Sequence, residues 1–325
     1  MSHSLTAIVS HGEIDRTPKE TYGQGKVVLR VGCRYVEEHT LGGESLILTR
    51  IGATGLIKAL TEDYLSKRKD GGSITWVCNH SRNTQLALLR GYIDFGLTYE
   101  RDQEALAASE GWSHTAGCVF HDHFIVVGPI SDPAGIAGTR SLTEAFSRIA
   151  TTQSQFHCRV DASATMWKER SIWSATGYEP WNDKSAISWY KTSVLSPAEA
   201  LKRSDAAGAY CLADRSTLLH QTRLGTISNS TVFFEPTSTQ DQLMNSCYAL
   251  YSPTAPNPIK READRFFQYL VSPCGQRLIS RYGAAETGLP LFASVDEGYA
   301  KERLVGGRPM GGRWVSNSST IRPRL

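Results

Sequence analysis

Arg159, Ser163 and Thr165 stand close together at what reads as the end of a strand and the start of a helix. A guanidinium at such a turn offers a fixed fork of N–H donors to an oxyanion and stays charged. Ser and Thr hydroxyls at a helix start can donate to the same anion, or they can simply cap the helix. The chemistry this run suggests is anion capture. Its plain alternative is an ion pair of Arg159 with Asp161 or Asp214, with Ser163 and Thr165 acting as caps.

Other stretches could add donors. Gly52-Ala53-Thr54-Gly55 opens a helix-like run, which makes Ala53 and Thr54 candidates. Ser81-Arg82-Asn83-Thr84 opens another, and Ser81, Asn83 and Thr84 are candidates there. Helix starts suit anions because their first N–H groups are unsatisfied and lie at the positive end of the dipole. Arg215 follows Asp214; a structural salt bridge competes with a ligand contact at that position. His121-Asp122-His123 places two imidazoles on one side of a strand. The sequence places no third ligand beside them, so no metal site is expected. No G-x-S-x-G, H-E-x-x-H or P-loop pattern occurs, so neither a catalytic residue nor a cofactor is assigned.

The elements that must position these residues alternate. Lys26–Val31, Ser73–Cys78, Asp94–Thr98, His123–Val127, Phe156–Arg159, Ala209–Leu212 and Cys247–Tyr251 read as strands, being β-branched or apolar and bounded by turn residues. Between them, Leu56–Leu65, Asn83–Leu89, Ser141–Ile149, the stretch after Asp161, Ser196–Ser204 and Arg215–His220 carry helical spacing. Pro197 suits a first helical turn. Arg261–Val271 is amphipathic, with Ala263, Phe266, Phe267 and Leu270 on one side. Alternation of this kind implies an α/β fold with mostly parallel sheets.

Composition sets outer limits. The chain has 325 residues, 40% hydrophobic and 21% charged, with a net charge of +3, which is a soluble globular balance large enough for two lobes. No basic block suggests a nucleic-acid partner. No segment reaches the length of a membrane-spanning helix, so no membrane insertion is expected. The seven cysteines contain no C-x-x-C pair and read as reduced core residues. Met1–Gly25 lacks the apolar run of a secretory signal, so the chain as written is expected in the cytoplasm. Residues 1–25 and 294–325 read as flexible tails, the latter Gly-, Arg- and Ser-rich.

A family resemblance adds to this. Ile93–Tyr99 (I-D-F-G-L-T-Y) is followed by Asp122–Ile136 (D-H-F-I-V-V-G-P-I-S-D-P-A-G-I), then Cys158–Glu169 (C-R-V-D-A-S-A-T-M-W-K-E), Gly208–Thr217 (G-A-Y-C-L-A-D-R-S-T), and Phe267–Ile279 with its L-V-S-P-C-G-Q-R-L-I ending. In one order these resemble the tungstate-binding proteins of ABC transporters, which read N-D-F-V-I-V-G-P-x-x-D-P-A-G-I, S-R-G-D-x-S-G-T-x-x-K-E, G-A-Y-T-L-T-D-R-G-T and W-L-V-S-P-E-G-Q-x-L-I. The resemblance implies a two-lobed class II periplasmic-binding-protein fold, with a ligand cleft between lobes that close by a hinge. It implies lobes over roughly 26–128 plus 240–293 and over 129–239. It places Arg159 on the family's basic residue. The chain departs from the family where Ala164 replaces a glycine and where Ile47-Leu48-Thr49-Arg50 falls on a T-T-T-S stretch.

Cys33–Ile51 is longer than the about 2–6 residues that such a junction needs. It reads as an insertion, of which an unspliced in-frame intron is one source. The alternative makes Leu46–Leu48 the true strand and Lys26–Val31 an added edge. The function expected from all this is non-catalytic binding of a small tungstate- or molybdate-like oxyanion, with the transporter partner left open. The alternative is a cytosolic enzyme or a regulatory sensor on the same fold, because fold alone does not fix function. The resembled family is extracytoplasmic, which is in tension with the expected cytoplasmic location.

Overall fold

The computed structural model describes residues 13–33 and 55–316. The first part runs β1 (Pro18–Gln24), β2 (Val27–Cys33), α1 (Leu56–Ser66), β3 (Gly72–Cys78), α2 (Ser81–Leu89), β4 (Phe95–Thr98), α3 (Arg101–Ser109) and β5 (His114–Pro129). The middle runs α4 (Leu142–Thr152), β6 (Phe156–Arg159), α5 (Ala164–Ala175), β7 (Tyr190–Ser193), α6 (Pro197–Ala207), β8 (Cys211–Asp214), α7 (Arg215–Arg223) and β9 (Ser230–Phe234). The chain then returns through β10 (Met244–Tyr251), α8 (Asn257–Leu270), α9 (Pro273–Arg281), α10 (Ala284–Thr287), β11 (Arg308–Met310) and β12 (Arg313–Val315).

The main sheet has the order β1-β3-β2-β4-β10-β5-β8, with β9 also on β5. β2 is parallel to β3 and β4, whereas β10 is antiparallel to β4 and β5. A strand from late in the chain thus lies among early ones, so both ends of the sequence build the first lobe. Its core joins Leu29, Val31, Phe95 and Phe120 to Phe266 and Leu270 of α8. Fully burying one such side chain stabilises by about 1.5–3 kcal/mol. α8 faces that core as its periodicity predicts, with Ala263, Phe266 and Leu270 buried and Arg261, Asp264 and Arg265 exposed. A second core forms around Phe146, Phe156, Trp173, Tyr190 and Tyr210. Partly buried Tyr99 packs against both cores.

β5 joins the two. Residues His114–His123 pair with β10, and Phe124–Pro129 pair with β8 and β9. The change of partner falls between His123 and Phe124, upstream of Gly128-Pro129. At Gly128 a Cβ would lie 2.2 Å from the Tyr210 ring, so the close approach of strand and ring requires glycine.

Two expectations about the ends are corrected. Pro18–Gln24 is no tail; it is an edge strand paired antiparallel to β3, with Tyr22 buried. The stretch from Ser294 to Ser316 is packed, with Leu304 and Trp314 buried and β12 against α7. The glycines that read as disorder make turns. Gly311 and Gly312 join β11 to β12 with φ of 59° and 75°, the two positive values that a tight type I′ hairpin demands. Cys33 closes β2. The remainder of the supposed insertion, with Leu46–Leu48, lies outside the described residues.

Candidate functional site

The α5 entrance follows the predicted course. β6 ends at Arg159, the chain turns through Ala162 at φ 54°, and Ser163 caps α5 by accepting the Met166 amide at 3.3 Å. Asp161 accepts the Ser163 amide at 3.2 Å, which fixes the turn. A left-handed alanine costs about 1–2 kcal/mol, and such strain persists only where the surroundings enforce it.

Anion capture by Arg159 needs an accessible guanidinium, and the structure corrects that reading. It is only 6% exposed. Its guanidinium pairs with Asp161, and its Nε donates to the Leu195 carbonyl at 3.2 Å. The connection from β7 to α6 covers the strand end, so the predicted ion-pair alternative is realised. Thr165 differs. It is 2% exposed, and its Oγ1 has no hydrogen-bond partner among the described residues. A buried hydroxyl left in that state costs free energy, about 1–3 kcal/mol.

The α2 entrance starts earlier than predicted, at Ser81 with His80 as N-cap, and His80 makes no side-chain bond to the first turn. Asn83 and Thr84 therefore lie inside the helix rather than capping it. Ser81 Oγ accepts the Tyr99 amide at 3.3 Å, Thr84 Oγ1 donates to the Asn79 carbonyl at 3.0 Å, and Asn83 Nδ2 donates to the Glu13 carbonyl at 3.3 Å. All three side chains are buried.

The residue that sequence reasoning missed is Arg82. Its guanidinium lies over the Trp167 ring at 3.8 Å from the centroid, and its Nε donates to Glu100 at 2.6 Å. Burial raises the Glu100 pKa, against the pull of Arg82. Arg82 sits on α2 and Trp167 on α5, so side chains from near the two helix starts meet between the lobes. One signal was available: arginine in a first turn opposes the helix dipole and is there against local preference.

The α7 entrance is already occupied by a carboxylate of the protein. Asp122 Oδ1 accepts the Ser216 amide at 3.3 Å, and its second oxygen accepts the Ser216 hydroxyl. Burial first, then the nearby Asp214, push the Asp122 carboxyl up to about 7. Arg215 is 1% exposed; its Nη1 donates to the Glu302 carbonyl at 2.9 Å and lies 3.5 Å from Glu235. This is the salt-bridge reading of Arg215. Burial lowers its pKa, with Glu235 and Glu302 opposing.

His121 and His123 are tied internally. His121 Nδ1 lies 2.7 Å from Ser246 Oγ, and His123 Nε2 accepts the Ala300 amide at 3.0 Å. Burial depresses both, to about 4 and about 3. Among the described residues, no group of three or more His, Cys, Asp or Glu side chains could hold a metal ion. Ala53 and Thr54 lie outside the described residues; Gly55, just after them, is the left-handed N-cap of α1.

Two lobes joined by a shared strand, with side chains from two helix starts meeting between them, give the architecture of a periplasmic-binding-protein fold. The chain matches the PBP superfamily domain over residues 49–273, and it belongs to that superfamily. It is 30% identical over 248 residues to a Haloferax volcanii protein named as an ABC transporter anion-binding protein, covering 74% of this chain and 68% of that one. It is 28% identical over 199 residues to the tungstate-binding protein TupA of Peptoclostridium acidaminophilum, covering 59% and 64%. Among solved structures, TupA from Desulfovibrio alaskensis G20 shares the fold with a TM-score of 0.65 at 20% identity, over 83% of this chain and 99% of that one. A periplasmic protein described as metal-binding superposes with a TM-score of 0.73 at 26% identity, over 88% and 100%. No helix among the described residues is long and apolar enough to cross a membrane.

Proposed function

We propose that this chain binds a small tetrahedral oxyanion, of the tungstate or molybdate kind, in the cleft between its lobes and performs no chemistry on it. The observation that carries the reading is the contact between the α2 and α5 starts, made by Arg82 on Trp167, together with the buried hydroxyl of Thr165 on α5, which has no hydrogen-bond partner among the described residues. Helix starts present N–H donors and positive potential together. Ser163 and Thr165 on α5, with Ser81, Asn83 and Thr84 on α2, are the proposed contacts. Arg159, paired with Asp161, holds the turn that leads into α5, and Ala53 and Thr54 remain proposed contacts from the α1 entrance. Arg215 acts at the hinge. The anion-binding name of the Haloferax volcanii relative supports the ligand class.

A reducing, cytoplasmic setting belongs to the same proposal. None of the seven cysteines forms a disulfide, which suits a compartment that keeps thiols reduced. Isothermal titration with tungstate, molybdate, sulfate and phosphate tests the ligand. Saturable binding of one of the first two, competed by the other, is expected; heat from none of the four would end the proposal.

A further inference from the structure

The Arg82–Trp167 stack has an arrangement that a chance surface contact lacks. Each partner is held from its own side before the two meet. Arg82 is anchored on α2 by its bond to Glu100, at 2.6 Å. Trp167 is backed on α5 by Arg170, whose guanidinium lies 5.5 Å from the Trp167 centroid and 5.0 Å from that of Trp181. Guanidinium and ring thus alternate from α2 through α5 to Trp181. Side chains already fixed lose little freedom on contact. A cation over an indole face gains most when it is removed from water, and Arg82 is buried. The stack joins α2 of one lobe to α5 of the other, so it exists only while the lobes are together.

A second observation belongs to the same ring. Trp167 Nε1 is buried and has no hydrogen-bond partner among the described residues. An indole N–H donates and never accepts. Its surroundings therefore favour an acceptor, as do those of Thr165 Oγ1.

We infer that Arg82 and Trp167 are the positioning residues that hold the cleft closed over its ligand, and that Trp167 thereby sets how long the ligand stays. The inference rests on the oxyanion-binding reading for its ligand, and on the stack alone for closure. Opening must part the guanidinium from the ring, so the contact acts on release. Association begins from the open form, where the contact is unmade, and is little affected.

The test compares wild type with Trp167→Ala, Trp167→Phe and Arg82→Gln. Sodium tungstate release is followed by stopped-flow, and lobe closure by small-angle scattering with and without tungstate. Circular dichroism checks folding. Trp167→Ala and Arg82→Gln should each release tungstate about 2- to 30-fold faster, the range that a cation–π contact spans. Association should stay nearly unchanged, and both variants should show a larger radius of gyration. Trp167→Phe keeps a ring face and should fall between. If Trp167→Ala does not fold, Arg82→Gln carries the same expectation with the ring in place. Wild-type release and scattering in the folded variants would overturn the inference. If wild type itself binds no tungstate, the proposed function fails. The ligand-free scattering then decides the stack alone: expansion in Arg82→Gln supports it, and an unchanged radius overturns it.

Discussion

The Arg159 guanidinium rests on the carboxylate of Asp161, two residues further along the chain, and each side chain is only 6% exposed. A pair this enclosed is costly to break from one side. Arg159→Ala leaves Asp161 charged and buried without its guanidinium partner, and should destabilise the fold by about 3–5 kcal/mol. Urea unfolding measures this. Removing both partners should cost less than removing Arg159 alone; a double variant as unstable as the sum of the two singles would argue against the pair. Arg159→Lys should restore part of the stability, because an ammonium keeps the charge but cannot reproduce the fork toward Asp161 and the Leu195 carbonyl.

Thr165 separates binding from folding. Its hydroxyl has no partner among the described residues, so Thr165→Val should leave stability unchanged or raise it by up to about 1–3 kcal/mol. The same variant should weaken tungstate binding. A loss of stability without a loss of affinity would show that the hydroxyl serves the fold.

Asp122 gives a pH signature. Its folded pKa is near 7 against an ordinary 3.8, raised by burial and by Asp214, with the Ser216 bonds pulling the other way. Arg215 stands in the same charge cluster. Between about pH 4 and 7 the folded chain holds more proton at this site than the unfolded chain, so the stability the group contributes falls as pH rises through that window. His121 and His123, held at about 4 and about 3, act oppositely; their contribution is lost as pH falls below about 6.5. The wild-type profile mixes the two effects. The difference between Asp122→Asn and wild type isolates one of them. That difference should move in favour of the variant from pH 4 to 7 and then level off. A difference flat across the window would refute the assignment.

Much of this architecture was legible in the sequence. β6 lies where its apolar run predicted, and α6 begins where Ser196, Pro197 and Glu199 form a capping box with proline in the first turn. These are local signals, set by neighbours in the chain. β5 was read only from His123, although it begins at His114. Gly117 at φ 151° and the register shifts opposite β10 break the alternation that marks a strand. The meeting of Arg82 and Trp167 could not be read at all, because spacing along one helix carries no information about a helix in the other lobe. The burial of Arg159 was missed for a related reason: Leu195, which covers it, comes from a connection far along the chain.

The C-terminal segment makes a further claim on stability. Leu304 donates its amide to Glu235 at 2.8 Å, Arg303 pairs with Glu235 at 2.9 Å, and Trp314 donates to the Leu304 carbonyl at 3.2 Å. A chain ending at Gly298 loses the large buried side chains of Leu304 and Trp314 along with buried Ala300, and uncovers Arg215. It should be less stable by about 3–6 kcal/mol, counted from apolar burial alone. Denaturant titration of the shortened chain is the check, and an unchanged midpoint would make the segment an ornament on the fold.

β5 also serves as a common ruler. Its upstream half sets the alignment of β10, and its downstream half sets that of β8 and β9. Side chains on a strand alternate faces, so deleting one residue at this junction, such as His123, would turn every downstream side chain to the opposite face relative to the upstream half. Ile125 and Val127 now face one core while Phe124 and Val126 face the other. The deletion would exchange these two sets together. The spacing of this one segment therefore carries information for both halves of the molecule.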